Sequence, residues 1–177
     1  MNYLAAFREI KGFIFDVDGV LTNAQVLVQE DGSLLRNMSI RDGYALKVAV
    51  EQGYFVGIIT GGKSEGVVKR LQNLGINAVY SGVKNKKVVL EELIDLYDLK
   101  LADLAYMGDD IPDLVPMRLV GVPFCPQNAC PEIREISRYI SPINGGEGCV
   151  RDVIEKTLKI AGSWPGQKTS LSNSPTT

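Results

Sequence analysis

Short apolar segments alternate with longer amphipathic segments along this chain of 177 residues. The short segments are rich in branched and aromatic residues and end at glycine or polar residues, which is typical of buried strands. Strands are predicted at residues 12–17, 54–59, 77–80, 104–107, 119–122 and 139–140. Helical spacing predicts helices at residues 42–52, 63–74, 86–97, 113–118, 131–136 and 148–160, with Asp42 as the first helix cap. This alternation predicts an α/β domain with a doubly wound, mostly parallel, Rossmann-like sheet.

A β-hairpin is predicted between the first strand and the first helix. Residues 25–29 and 34–38 both alternate apolar and polar positions, and the segment that joins them contains Asp31-Gly32, a strong turn signal. An isolated two-stranded ribbon is marginally stable in water, so we expect this one, at about residues 25–38, to pack against another surface. The alternative is a hairpin that lies on its own domain. The remaining spacing leaves little room for a separate cap domain.

The composition indicates one soluble domain followed by a tail. Residues 1–161 suffice for one domain with a full core, and residues 162–177 are rich in Ser, Thr, Pro, Gly and Asn, so we expect a flexible C-terminal tail. The net charge of −2 and the isoelectric point of about 5.3 argue against a nucleic-acid partner. No apolar run is long enough to cross a bilayer, and the N-terminus lacks a signal-peptide layout. We therefore expect a cytoplasmic protein with no membrane partner.

Histidine is absent from the chain, which excludes several kinds of catalytic site. Ser-His-Asp triads, Cys-His pairs and H-E-x-x-H zinc sites all need it. Cys125, Cys130 and Cys149 do not have zinc-ligand spacing, so they are expected to be reduced thiols. Acid–base chemistry must therefore use carboxylates, Lys, Tyr or Cys.

Reactive polar side chains follow several of the predicted strands. They are Asp16, Asp18, Thr60, Lys86, Asp109 and Asp110. Each of them alone would fit an ordinary turn or helix start, but ligands of open parallel sheets bind beyond the carboxyl ends of the strands, where these residues could share one crevice. Carboxylates at the end of a buried strand are costly. A divalent cation, together with phosphate chemistry that needs a carboxylate nucleophile, would offset that cost.

These segments together resemble the motifs of the haloacid dehalogenase superfamily of phosphotransferases. Its first motif, D-x-D-G-x-[LT]-T, matches the segment from Asp16 to Thr22, and the resemblance covers roughly residues 12–155. It implies that Asp16 attacks phosphorus and forms an aspartyl-phosphate. It also implies that Asp18 protonates the leaving alcohol oxygen and later deprotonates the attacking water. A carboxylate nucleophile splits one hard displacement into two, and a second carboxyl can change protonation state between them.

The same resemblance implies a phosphoryl site and a magnesium site. The hydroxyl of Thr60 would bind the phosphoryl group next to Gly61 and Gly62, and Lys86 would offset the charge of the phosphate and of Asp16. Hard oxygen ligands and positive charge suit Mg²⁺ and phosphoryl transfer. The implied ligands of Mg²⁺ are Asp16, the main-chain carbonyl of Asp18, and Asp109, supported through hydrogen bonds by Asp110 and Asp113.

Further details resemble the capless bacterial phosphatases of 3-deoxy-D-manno-octulosonate 8-phosphate, an eight-carbon sugar-acid precursor of the lipopolysaccharide core. The matching segments include Arg41-Asp42-Gly43, Ile59-Thr60-Gly61, Asn85-Lys86 and Tyr106-Met107-Gly108-Asp109-Asp110. The resemblance implies hydrolysis to the free sugar acid and phosphate. It also implies a homotetramer in which the hairpins associate at the centre and neighbouring subunits cover each active site.

A sugar-acid phosphate needs cations beyond Lys86. The candidates near the strand ends are Arg41, Lys63 and Arg70, and Arg151 follows the late glycine loop. Arginine favours bidentate carboxylate binding. One departure concerns the late loop, where many relatives have Gly-Gly-Arg-Gly but this chain has Gly145-Gly146-Glu147-Gly148. Because a glutamate would repel a substrate carboxylate, phosphatases of nine-carbon sugar-acid 9-phosphates are an alternative.

Two other classes of function remain as alternatives. A phospho-receiver switch also combines aspartates, a Thr and a Lys on a doubly wound sheet, but its acidic pair is adjacent and its phosphoacceptor ends the third strand. A catalytically silent subunit is the other possibility. Here the first strand carries D-x-D, with an acid–base residue two positions after the nucleophile, which favours turnover.

Overall fold

A computed structural model describes residues 3–167. The strands are β1 (Gly12–Phe15), β2 (Leu27–Val28), β3 (Leu34–Leu35), β4 (Phe55–Ile59), β5 (Ala78–Tyr80), β6 (Leu104–Met107), β7 (Val122–Cys125) and β8 (Tyr139–Ile140). Six of them form one sheet in the order β5-β4-β1-β6-β7-β8, and every neighbouring pair is parallel. The predicted α/β, doubly wound parallel sheet is confirmed.

The helices cover both faces of this sheet. They are α1 (Tyr3–Arg8), α2 (Ile40–Glu51), α3 (Glu65–Asn73), α4 (Lys86–Tyr97), α5 (Leu114–Leu119), α6 (Pro131–Ile136) and α7 (Cys149–Ala161). Helices α1, α2, α3 and α7 contribute to one apolar core, and α4, α5 and α6 contribute to a second core. Strand β1 serves both, because Phe13 and Phe15 join the first core and Ile14 the second. Burial on both faces explains why the sheet strands are continuous apolar runs rather than alternating ones.

The order of the strands fixes where a ligand can bind. From β1 the chain moves to β4 and β5 on one side, then returns to β6 on the other side and continues to β7 and β8. The carboxyl ends of β1 and β6 therefore border the crevice in which open α/β sheets bind ligands. The predicted strand ends do meet at this edge.

The predicted hairpin is confirmed, although its strands are shorter than expected. Strands β2 and β3 pair antiparallel, with Leu27 opposite Leu35, and Gly32 in their turn has φ +83°. The side chains on both faces of the ribbon are solvent-exposed. Within residues 3–167 the insertion after β1 consists of this hairpin, so the domain has no cap.

Two local predictions are wrong. The strand expected at residues 119–122 lies at Val122–Cys125, because Gly121 forms a turn in which its N–H donates to the carbonyl of Leu101. Pro123 lies inside this strand, although a proline cannot donate a hydrogen bond to a neighbouring strand. It is tolerated because its carbonyl, the group that a proline keeps, accepts a hydrogen bond from the Arg138 N–H.

The second wrong prediction concerns the cap of α2, which is Ser39 rather than Asp42. Asp42 is fully buried in the first turn of α2, where its carboxylate accepts a hydrogen bond from the Arg151 N–H of α7 at 2.7 Å. Burial raises the pKa of Asp42 to about 6, and its second oxygen has no protein partner among the described residues. Asp42 thus joins α2 to the start of α7 at an electrostatic cost.

The end of the described chain packs more closely than the composition indicates. Trp164 is buried, and its ring packs edge-on against Tyr44 and beneath the guanidinium of Arg151. Of the tail expected at residues 162–177, residues 168–177 lie outside the described residues. No helix in the described part of the chain combines the length and the apolar character needed to cross a membrane.

We predict that Asp42→Asn changes how stability depends on pH. The pKa in the fold, about 6, lies above the ordinary 3.8, so protonation favours the fold and this contribution is lost as pH rises from about 4 to above 6. Asparagine cannot ionise, so the variant should gain on the order of 3 kcal/mol relative to the parent protein across that range. Denaturant unfolding of both proteins at several pH values measures this difference in the free energy of unfolding, with exposed Asp95→Asn as the control. A difference that does not vary with pH would contradict the prediction.

Candidate active site

The loop after β1 forms a tight irregular turn. The Asp16 N–H donates to the carbonyl of Met107 on β6, and the Thr22 N–H donates to the carbonyl of Val17. The buried Thr22 hydroxyl accepts from the Gly19 N–H at 3.2 Å. Gly19 has φ +96°, and a Cβ there would collide with the carboxylate of Asp109. The turn therefore needs glycine both for its backbone conformation and for the approach of Asp109, which follows β6.

Lys86 is the centre of a buried ion cluster. Its Nζ lies 3.0 Å from Asp16 Oδ2 and 2.7 Å from Asp113 Oδ1. The hydroxyl of Tyr106 donates to the same Asp113 oxygen at 2.7 Å. Asn85 caps α4, and so it fixes the first turn of the helix from which Lys86 projects.

Asp16, Asp109 and Asp113 each offer one oxygen to a common point, and these three oxygens lie within 4.8 Å of one another. Burial, followed by the charge of Asp113, raises the pKa of Asp16 to about 7. Burial, followed by the charge of Asp16, raises the pKa of Asp109 to about 7. Each of the three aspartates has one buried oxygen without a protein partner. Three carboxylates that face one lysine leave an excess of negative charge.

This arrangement fits a divalent cation. Hard carboxylate oxygens are the ligands that Mg²⁺ prefers, and unpartnered buried oxygens are otherwise costly. A divalent charge would neutralise the excess and lower the carboxylate pKa values. The oxygens of Asp16 and Asp109 are therefore suitable ligands, as expected, and the structure adds Asp113, which was expected only to support the ligands.

Asp18 lies apart from the three-carboxylate cluster. Both of its carboxylate oxygens bind Arg36, with Nε to Oδ1 at 2.6 Å and Nη2 to Oδ2 at 3.1 Å. Its neighbour across the crevice is Gly62, where a Cβ would lie 2.7 Å from Asp18 Oδ2. Thr60 is buried, and its hydroxyl accepts from the Gly62 N–H at 3.2 Å. A small cavity is lined by Asp18, Arg36, Thr60 and Gly62 among others.

Asp110 does not join this centre. Its side chain is exposed and accepts from the Ile111 N–H at 2.8 Å, so it starts the short turn before α5. Gly61 lies at the exposed end of β4, next to Gly62.

The cations expected to bind substrate do not meet in one place. Arg70 lines a cleft of about 670 Å³ between the hairpin and α3 and donates to the Ser39 carbonyl. Lys63 borders a second cleft, on the outer side of α3. Arg41, Arg151 and Glu147 line a third cleft of about 590 Å³ at the start of α7. Among these cations, Arg70 is the one that shares a cleft with Arg36 within residues 3–167.

Two residues of the site were missed from the sequence. Arg36 follows β3 directly, and a charged residue at the end of an apolar hairpin strand was the available signal. Tyr106 lies inside a matched segment, yet its fully buried hydroxyl has no signature in sequence.

Comparison with known proteins places this geometry in a family. No protein-family model matches the sequence. The chain is 33% identical over 161 residues to 3-deoxy-D-manno-octulosonate 8-phosphate phosphatase KdsC of Escherichia coli K12, covering 91% of this chain and 86% of that protein. The chain belongs to this phosphatase family of the haloacid dehalogenase superfamily. The family consists of phosphoric monoester hydrolases, which disfavours the receiver-switch alternative.

Solved structures support the same family membership. A 3-deoxy-D-manno-octulosonate 8-phosphate phosphatase from Moraxella catarrhalis, in complex with magnesium, phosphate and KDO, superposes with a TM-score of 0.86 at 35% identity, covering 90% of this chain and 92% of that chain. A structure from Legionella pneumophila named for the HAD superfamily, subfamily III A, gives a TM-score of 0.87 at 32% identity over 90% of this chain and 87% of that one.

We predict that Asp109→Asn raises the melting temperature of the metal-free protein. The raised pKa of Asp109 shows that its charge is unfavourable above pH 7 without a cation, so its removal should stabilise the fold by on the order of 3 °C. Saturating Mg²⁺ should raise the melting temperature of the parent protein and have much less effect on the variant. Scanning calorimetry in EDTA and in Mg²⁺ measures both effects. The exposed Asp95→Asn control should keep the full response, and an equal response in Asp109→Asn would contradict the site.

Proposed function

We propose that this protein is a Mg²⁺-dependent phosphomonoesterase that hydrolyses 3-deoxy-D-manno-octulosonate 8-phosphate to the free sugar acid and phosphate through an aspartyl-phosphate. The observation that carries the proposal is Asp16, a buried carboxylate with one oxygen bound to Lys86 and the other unpartnered at the acidic cluster. This is the arrangement expected of an oriented carboxylate nucleophile next to a cation site.

The nucleophile would be Asp16. Its ion pair with Lys86 holds one oxygen of the carboxylate, and Asp113, which accepts a hydrogen bond from Tyr106, holds Lys86 in turn. Mg²⁺ would be held by Asp16, Asp109 and the main-chain carbonyl of Asp18, with Asp113 adjacent, and it would supply positive charge to the phosphoryl oxygens. Lys86 adds a second positive charge in a nearly dry environment, where it stabilises an anionic transition state more than it would in water.

Asp18 would act first as the general acid and then as the general base. As Asp16 attacks phosphorus and the bond from phosphorus to the alcohol oxygen breaks, the carboxylic acid of Asp18 donates a proton to that oxygen. The resulting carboxylate then takes a proton from water, whose oxygen attacks phosphorus, releases phosphate and regenerates Asp16. Thr60 and Gly62 lie beside Asp18, so their hydroxyl and N–H groups are suitable donors to phosphoryl oxygens.

The eight-carbon substrate is supported by the relatives, whose names specify it. Glu147 was the reason to consider nine-carbon acids. Its carboxylate accepts a hydrogen bond from the Asn144 side-chain amide at 3.3 Å, and the cleft that it lines has four basic residues, among them Arg41 and Arg151, against three acidic ones. The argument against an eight-carbon acid is therefore weaker than the sequence suggested. We place the reaction in the cytoplasm, in lipopolysaccharide core synthesis, as the resemblance implies.

A homotetramer formed through the hairpins completes the proposal. A capless crevice needs a neighbour to exclude water and to bring further cations to the substrate. The ribbon exposes apolar side chains on both faces, unlike a hairpin that packs on its own domain. They are Val26, Leu27, Val28, Leu34 and Leu35, which are 43–66% exposed.

We predict that Asp16→Asn abolishes turnover, by roughly 1000-fold or more, because the amide is a poor nucleophile. Phosphate release with Mg²⁺ should be measured on the eight-carbon sugar-acid phosphate, a nine-carbon homologue, a hexose phosphate and p-nitrophenyl phosphate. The parent protein should prefer the eight-carbon acid. Circular dichroism should show that the variant remains folded.

The panel separates the alternatives. Preference for the nine-carbon acid would keep the mechanism and change the substrate, whereas equal slow activity on all four compounds would indicate a generalist. Appreciable activity in folded Asp16→Asn would rule out Asp16 as the nucleophile. Absence of activity in the metal-loaded parent protein would favour a silent subunit.

We also predict that Leu27→Glu combined with Leu35→Glu breaks the oligomer. These two residues are paired across the ribbon, so both charges would lie on one face of the proposed interface. Sedimentation should show a tetramer for the parent protein and a smaller species for the variant. The matched control is Leu96→Glu on α4, at 67% exposure against 66% for Leu27. An unchanged tetramer in the double variant would show that the hairpin does not form the interface.

A further inference from the structure

Arg36 is the one hairpin side chain that reaches the reaction centre in the described part of the chain. Its side chain is 6% exposed although both hairpin strands are exposed, and its Nε and Nη2 bind the two oxygens of Asp18. The partner, Asp18, belongs to the loop after β1, so this contact joins the hairpin to that loop.

The geometry of the contact restricts Asp18 more than an ordinary ion pair would. A guanidinium that binds both carboxylate oxygens fixes the plane and the direction of the carboxylate, which a lysine ammonium cannot do. Gly62 closes the other side, because any side chain there would collide with Asp18 or Arg36. Asp18 is therefore held between the hairpin and the Thr60–Gly62 segment.

The burial of Arg36 also needs explanation. A buried guanidinium is expensive unless its donors are satisfied, and its Nη1 has no protein partner in the structure. A salt bridge whose purpose was only to attach the hairpin could form at the surface without this cost. The location of Arg36 beside Asp18, Thr60 and Gly62 instead puts its guanidinium where it sets the direction of the Asp18 carboxylate.

We propose that Arg36 is a positioning residue for Asp18, so that the attachment of the hairpin sets the geometry of proton transfer to the leaving oxygen. This inference rests on the proposed function, in which Asp18 is the acid and then the base. Arg36 acts through Asp18 and does not exchange a proton itself.

The choice of leaving group tests this role. Departure of the sugar alcohol needs the proton of Asp18, whereas departure of p-nitrophenolate does not. Arg36→Met removes the guanidinium and keeps most of the stem. It should lower kcat on the sugar-acid phosphate by about 100-fold, as expected for a misplaced catalytic group, with KM changed less than about threefold. The rate constant of the p-nitrophenolate burst, measured by rapid mixing, should change by less than about threefold.

Further variants separate positioning from other roles. Arg36→Lys keeps the charge but lacks the two parallel N–H donors of the guanidinium. Its kcat on the sugar-acid phosphate should therefore lie between those of the parent protein and of Arg36→Met. In the Asp18→Asn background, Arg36→Met should have no further effect on the burst. Arg118→Met, an exposed arginine on α5, is the control. If Arg36→Met does not fold, as judged by its melting curve, the comparison is made with Arg36→Lys.

Three outcomes would overturn the proposal. Equal losses on both substrates, or a further loss in the Asp18→Asn background, would indicate direct contact with the phosphoryl group. Parent-like kinetics in Arg36→Met would reduce Arg36 to a structural attachment. Failure of the proposed function is distinguishable, because the parent protein would then show no turnover of the sugar-acid phosphate before any variant is compared.

Discussion

The buried contact of Lys86 with Asp16 and Asp113 is the interaction on which the rest of the site depends. It joins the end of β1, the start of α4 and the turn before α5, three segments far apart in sequence. Removal of one member would leave an uncompensated charge in a nearly dry environment, which is far more costly than the loss of a surface ion pair. The cluster is weak evidence for stability but strong evidence for a cation site, because three clustered carboxylates have one ammonium beside them.

Glycines make that crowding possible. A Cβ at Gly19 would collide with Asp109, and a Cβ at Gly108 would collide with Asp113. Parallel strands bring the ends of β1 and β6 to one edge, but side chains at these two positions would keep the carboxylates apart. The short distances between the carboxylates are thus set by the backbone as much as by the charges.

The sheet and the reaction centre could be predicted from the sequence more accurately than the surrounding contacts. Strand ends in a parallel sheet converge by topology, so Asp16, Thr60, Lys86 and Asp109 could be placed together from strand predictions alone. The strand at Val122–Cys125 was placed too early because the turn at Gly121 depends on a hydrogen bond to the distant Leu101 carbonyl, which the local pattern does not reveal.

Long-range side-chain contacts could not be obtained in the same way. The local sequence around Asp42 predicts a helix cap, but its hydrogen-bond partner Arg151 lies more than a hundred residues away. Arg36 meets Asp18 only because the hairpin folds back over the loop. Arg41 and Lys63 lie in different clefts from Arg36, since strand-end position fixes the edge of the sheet but not the direction of a long flexible side chain.

The hairpin combines two properties in one short ribbon. Its outer positions expose apolar side chains to solvent, and its last charged residue is buried at the reaction centre. A ribbon of two-residue strands has little stability of its own, so its position depends on what it packs against. A partner that covers the exposed side chains would therefore also restrict Arg36 and, through it, Asp18. In a domain without a cap, assembly would then supply both the closure of the crevice and the alignment of the acid.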